Sequence, residues 1–151
     1  MEKKTTEKLL NILKRTDTEK SLRKFVSEFS AAEIEPQDFH LYFMSLPEME
    51  NRSAADIIRA AGIERTYGYQ ILNGTRKPGR DRVVMLALAA GISLSELQHC
   101  LAIVQEAALY ARNRRDAVLI FAIERKLSVE ETNELLEHFE EPLLISGIKE
   151  K

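Results

Sequence analysis

Gly62-Ile63 sits between two short helical patterns, and this juxtaposition restricts the fold more than any other feature of the sequence. Ser53 to Ala61 reads as a helix with Ser53 as its N-cap, because a serine hydroxyl can accept from a first-turn amide that has no partner within the helix. Gly62 can adopt the positive φ that closes such a helix. Glu64 to Leu72 reads as the next helix, stopped by Asn73-Gly74 ahead of Lys77-Pro78. Ile63 then plugs the angle between the two helices, with Ile57, Ala61 and Ile71 supplying apolar contacts. A turn this short makes the helices cross steeply and leaves one face of the second exposed.

Nearly every other segment also reads as helix, and the fold class expected is all-α. Thr5 to Lys14 carries Leu9, Leu10, Ile12 and Leu13, and Thr18 to Phe29 places Leu22, Phe25, Val26 and Phe29 on one helical face. Pro36 marks a break within Ala31 to Gln37. A helix follows from about Gln37 to Leu46, ended or kinked by Pro47. Arg80 to Ala90 is strongly apolar and is closed by Gly91. Ser93 with Glu96 forms a capping box that opens a helix to about Ala108, Arg114 to Arg125 reads as another, and Ser128 with Glu131 opens the last, to about Phe139.

The two capping boxes belong to an internal repeat. A shift of 35 residues lays Arg80–Leu101 on Arg115–Leu136, with identities at Arg80/Arg115, Asp81/Asp116, Val83/Val118, Ala87/Ala122, Ser93/Ser128, Glu96/Glu131 and Leu101/Leu136. Two copies are too few for a free-standing solenoid, so the second is expected to stack on the first. The organisation predicted is N-terminal helices over 1–35, a helix-turn-helix domain over 36–98, and a C-terminal helical repeat over 99–151.

The net charge is −2, which does not mark the whole chain as a polyanion binder. Its distribution is more informative. Residues 52–82 hold seven basic side chains (Arg52, Arg59, Arg65, Arg76, Lys77, Arg80, Arg82) against three acidic ones (Asp56, Glu64, Asp81), a local +4 between acidic flanks. Phosphate contacts supply much of the affinity of DNA-binding modules, and such a patch suits them. Cys100 is the sole cysteine, so no internal disulfide can form. The first ten residues hold no apolar stretch of the leader type, and the longest apolar run, Val83 to Ala90, is far short of the roughly 20 residues of a membrane span. A cytoplasmic protein without membrane contact is expected.

Taken together, Ser53, Ile57, Gly62, Ile63, Ile71, Gly74 and Pro78, followed by Val83, Leu86-Ala87, Ile92 and Leu97, resemble the phage-repressor (Cro-like, XRE-type) helix-turn-helix family over about residues 37 to 98. The wider layout also resembles bacterial proteins in which this module precedes an Arg-Asn-Arg-Arg-Asp helical repeat, here Arg112 to Asp116. The resemblance implies a lambda-repressor-like domain that binds double-stranded DNA as a transcriptional regulator. Glu64–Leu72 would lie in the major groove, with homodimers reading half-sites about 34 Å apart. It aims Arg65, Thr66, Tyr67, Tyr69 and Gln70 at base edges, where Arg and Gln pair with guanine and adenine and Thr and Tyr meet the thymine methyl. Thr75, Arg76 and Lys77 after that helix, and Arg52 and Ser53 beside the preceding one, would reach phosphates. For the tyrosines the competing role is core packing, and for Arg76 and Lys77 a solvated turn. Three positions depart from the family pattern: Ala54 replaces the helix-opening Gln, Ile58 a small residue, and Gly68 the usual Ile of the recognition helix. Loss of that Ile leaves Tyr67 or Tyr69 to pack inward.

No catalytic constellation is present in the sequence. Gly74 to Gly79 lacks the Gly-Lys-Ser/Thr of a phosphate loop, His40, His99 and His138 are isolated, and no metal-ligand spacing occurs. Cys100 aligns with Leu135 and reads as a buried thiol. The expectation is a non-enzyme without cofactor or metal. Arg112-Asn-Arg-Arg115 could touch phosphate or an acidic partner, or could cap the preceding helix and pair with Asp116 or Asp81; the structural role is favoured. The alternative to DNA reading is an adaptor that keeps the helix-turn-helix scaffold while the C-terminal repeat binds a protein partner. The N-terminal helices (5–30) or the repeat could also supply a dimer interface.

Overall fold

The computed structural model describes residues 6–29 and 38–144, and every regular element among them is helical. The chain divides into two units, Met1–Ile34 and Glu35–Lys151. The first contains α1 (Thr6–Arg15) and α2 (Glu19–Phe29). Thr18 caps α2, its hydroxyl accepting from the Ser21 N–H at 3.0 Å. Leu10, Leu13 and Leu22 are exposed. The break expected over 31–37, and the side chains of Leu9, Phe25, Val26 and Phe29, lie outside the described residues.

In the second unit the described helices are α3 (Asp38–Met44), α4 (Ala54–Ala61), α5 (Arg65–Leu72), α6 (Arg80–Ala90), α7 (Leu94–Ile103), α8 (Arg114–Glu124) and α9 (Val129–His138). Pro47 does not terminate α3. That helix ends at Met44, and Pro47 opens a single 3₁₀ turn, Pro47–Met49, where its missing N–H costs nothing. The sequence of α6 is apolar on nearly all sides, so it can only be stable when surrounded. Val83 to Leu88 are all buried, and α4, α7, α8 and α9 pack around them. One core, from Phe39 and Phe43 through Leu86, Ile92, Leu97 and Leu101 to Leu119, Ile123 and Leu136, runs through the whole unit.

Both capping boxes form. Ser93 and Ser128 accept from Glu96 N and Glu131 N, and each glutamate accepts from the serine N–H. Beyond them α7 is shorter than its sequence pattern suggests, ending at Ile103 rather than near Ala108. Gln105 takes φ +62°, and the N–H groups of Gln105 and Glu106 turn back onto Ala102 O and Leu101 O. This satisfies the orphan carbonyls with an αL residue that is not glycine. The following strap is fastened by Gln98, whose side chain donates to Leu109 O and accepts from Leu109 N (3.0 and 2.8 Å). Arg80 adds hydrogen bonds to Ala107 O and Ala108 O.

The second copy reproduces this device residue for residue. Glu140 takes φ +59°, Asn133 clamps Leu144 in both directions, and Arg115 holds Pro142 O and Leu143 O. Lys126 (φ +59°) stands where the first copy has Gly91 (φ +71°), and its ammonium donates to Gly91 O at 2.7 Å.

The two copies meet reciprocally. Arg80 pairs with Asp116 through both carboxylate oxygens (2.9 and 2.8 Å), and Arg115 pairs with Asp81 in the same manner (3.0 and 3.0 Å). A translational stack would offset every such contact in one direction. Reciprocity instead means that the copies are related by an approximate two-fold and pack through the same face of each hairpin. Burial works to raise the Asp116 carboxyl, but the Arg80 hydrogen bonds, the Tyr110 N–H and the charges of Arg80 and Arg115 outweigh it and hold the group below its ordinary range. Asn113 caps α8 by accepting from Asp116 N. The basic cluster is therefore structural at Arg115. Arg114 reaches Phe139 O, at the end of α9, rather than the carbonyls of a preceding helix.

Candidate nucleic-acid interface

Ser53 caps α4 by accepting from Asp56 N at 3.1 Å. The helix closes with Gly62 at φ +75°, its N–H on Arg59 O and the Ile63 N–H on Ile58 O. This is the two-bond glycine stop, and it drops the buried Ile63 into the corner between helices. The next helix begins one residue later than the sequence suggests, because Glu64 is its N-cap rather than its first residue. The Glu64 carboxylate accepts from Thr66 N (3.1 Å) and Tyr67 N (2.9 Å). Those hydrogen bonds hold the group below the usual carboxylate range. No Ser, Thr, Asn or Asp precedes this helix, so the ordinary capping signal was missing.

Gly68 is explained by Ile58. A Cβ built on Gly68 would lie 2.6 Å from Ile58 Cγ2 and 2.8 Å from Cγ1. Both atoms are attached directly to the Cβ of a branched, buried side chain with little rotamer freedom. The two residues are thus complementary in size, with the large one on α4 and the small one on α5. Ile58 occupies the space beside Gly68, and of the two tyrosines Tyr67 packs inward. Tyr67 is half-buried against the core and Tyr69 remains 37 % exposed.

With Gly68, Ile71 and Leu72 buried, α5 turns Arg65, Thr66 and Tyr69 outward. The Arg65 guanidinium lies 5.9 Å from the Tyr69 ring centroid. These two residues border an open groove of about 450 Å³ that Ala55, Ile58, Arg59 and Ile63 complete. Tyr67 and Gln70 face the other way along the helix. Arg76 folds back to donate from Nε to Gln70 Oε1 at 2.9 Å, and its guanidinium sits 5.0 Å from the Tyr67 ring centroid. Arg82, buried, approaches that ring to 5.1 Å. Asn73 Oδ1 accepts from Thr75 N, shaping the turn that carries the exposed Thr75, Arg76 and Lys77. Gly74, at φ +87°, lies against the His40 ring, which a Cβ would meet at 2.5 Å.

The seven basic residues of this region do different work. Arg52 donates to Ala89 O and Ala90 O, capping the C-terminus of α6. Arg59 pairs with Asp56 and Arg80 with Asp116. The exposed cations beside α5 are Arg65, Arg76 and Lys77. Cys100 is buried, and burial, reinforced by Glu96, pushes its thiol up to about 12. Among the described residues, no cluster of His, Cys, Asp or Glu could hold a metal, and no helix is long and apolar enough to cross a membrane.

Fold and site together define an all-α protein built on a tight helix pair with a partly basic outer surface. Comparison with protein-family models, curated proteins and solved structures gave no match to this chain.

Proposed function

We propose that the chain binds double-stranded DNA sequence-specifically as a transcriptional regulator, through a lambda-repressor-like domain with α5 in the major groove. The observation that carries this reading is the face of α5. Its inner residues are buried behind a glycine-stopped α4, while Arg65, Thr66 and Tyr69 stand exposed next to the Thr75–Lys77 turn. Arg65 offers the bidentate donor pair that suits guanine, and Thr66 and Tyr69 offer contacts for thymine. Gln70 becomes a base reader when Arg76 leaves it for a phosphate. Thr75 and Lys77 reach the backbone directly, as does Ser53 at the start of α4.

A second reading, a protein-interaction adaptor, draws on the charges. Arg52 and Arg80 are engaged by hydrogen bonds of the fold itself and Arg82 is buried, and Glu64 occupies the α5 amides that a phosphate could otherwise use. Salt separates the two. Two cationic phosphate contacts per protomer, Arg76 and Lys77, four per dimer, predict that duplex affinity falls about 10²-fold between 50 and 200 mM salt. Fluorescence anisotropy with labelled mixed-sequence duplexes measures it. A salt-independent signal, or none at 50 mM, sinks the DNA reading.

A further inference from the structure

The first hairpin (α6–α7) and the second (α8–α9) differ in what covers their outer faces. In the first, Val83, Leu86, Cys100 and Val104 are fully buried, with α4 packed on α6 and α3 packed on α7. Thirty-five residues on, the equivalent positions are Val118, Phe121, Leu135 and Phe139. Val118 and Leu135 are half-buried, and no further described helix of the second unit is packed on this face. They line an open apolar groove of about 460 Å³ with Arg114 and Ala117. Phe121 is 44 % exposed, and Phe139 and the neighbouring Leu143 are each 45 % exposed. Two exposed phenylalanines side by side are more than the scattered single hydrophobics of an ordinary surface.

The rims of the groove are oppositely charged. On the α8 side stands Arg125, stacked on the Phe121 ring at 4.4 Å, while Arg114 is already paired with Glu141 at 3.0 Å. Along α9, helical spacing places Glu131 and Glu134 just outside Leu135, and both are exposed. A surface with an apolar floor, one basic wall and one acidic wall is complementary to itself under a two-fold whose axis runs along the groove, which brings each basic wall to the partner's acidic wall.

We propose that the α8–α9 groove is the homodimer interface, closed by the same groove of a second copy. Arg125 faces the α9 glutamates of the partner, and Phe121 and Phe139 of both chains fill the floor. This inference stands on the groove alone and holds whether or not α5 reads DNA.

The test is sedimentation equilibrium of the full chain from about 1 to about 100 µM, a range that spans binding energies of roughly 5 to 8 kcal/mol. The wild-type chain is expected at twice the mass of one chain in the upper part of that range. Phe121→Glu should weaken association by at least about tenfold. Arg125→Glu and Glu134→Arg, surface changes that leave the core intact, should each weaken it, and the double variant should recover it. Circular dichroism melts of each variant confirm that the fold is retained. A wild-type chain that stays monomeric throughout would overturn the proposal and leave the groove to a different occupant. So would a dimer that neither Phe121→Glu nor the charge reversals weaken.

Discussion

Ile58 and Gly68 are complementary in size across the α4–α5 contact, and the complementarity can be measured. Alanine at 68 would gain about 1 kcal/mol of helix propensity over glycine. Its Cβ, however, would overlap a stiff side chain, and overpacking of this kind costs about 1–3 kcal/mol. Gly68→Ala should therefore be neutral to destabilising despite its better propensity. Ile58→Ala alone should cost about 2–5 kcal/mol by opening a cavity. The double variant should cost clearly less than the sum, because each change relieves the other. Urea titration of the four proteins closes this cycle; strict additivity would mean that the two side chains do not share the space. Both positions were visible in the sequence as oddities. Their compensation was not, because nothing in a one-dimensional pattern says that position 58 of one helix faces position 68 of the next. Arg52 illustrates the same limit. Its place next to the Ser53 cap suggested a phosphate ligand, and its hydrogen bonds to the α6 carbonyls 37 and 38 residues away were not legible.

The elements were far more legible than their partners. Caps and stops are local chemistry, and Ser53, Gly62, Gly91 and the two Ser/Glu boxes bound their helices where expected. The largest boundary misreading, at the end of α7, came where a non-glycine residue took the left-handed conformation. Gln105 ends α7 early because Gln98 and Arg80 tie down the strap that follows, and a glutamine carries no turn signal. The repeat offset did align Gln98 with Asn133 and Leu109 with Leu144, so the clamps were present in the sequence as a pattern without a meaning. Gln98→Ala and Asn133→Ala should each cost about 1–3 kcal/mol, since each strands an N–H and a carbonyl of a half-buried strap. Thermal melts read this directly, and unchanged midpoints would show the straps to be passive. The Arg80–Asp116 pair adds a pH dependence. The folded Asp116 carboxyl lies below its ordinary 3.8, so its contribution is complete above that value and lost as pH falls through the lower folded one. Asp116→Asn should destabilise the fold near neutral pH by about 3 kcal/mol, and its disadvantage should shrink toward pH 2. A deficit that stays constant across the acid range would contradict the assignment.

At the scale of the whole molecule, the second unit is one core that carries a helix pair at one end and an open hairpin groove at the other, joined through the pseudo-symmetric α6–α9 body. The repeat was legible because identities recur at a fixed offset. That its copies face each other reciprocally was not, because a sequence offset is the same for a translation and a rotation. The proposed division of labour assigns α5 and its turn to nucleic acid and the last hairpin to assembly. The claim that matters most is that α5 reads a sequence. The direct measurement is to incubate the purified protein with sheared genomic DNA at modest salt, recover and sequence what stays bound, and run Arg65→Ala/Lys77→Ala alongside. The account predicts sharp enrichment of one motif by the wild-type protein and its loss in the double variant, both proteins melting alike. Flat recovery by the wild-type protein, or an enrichment that the double variant retains, would contradict it.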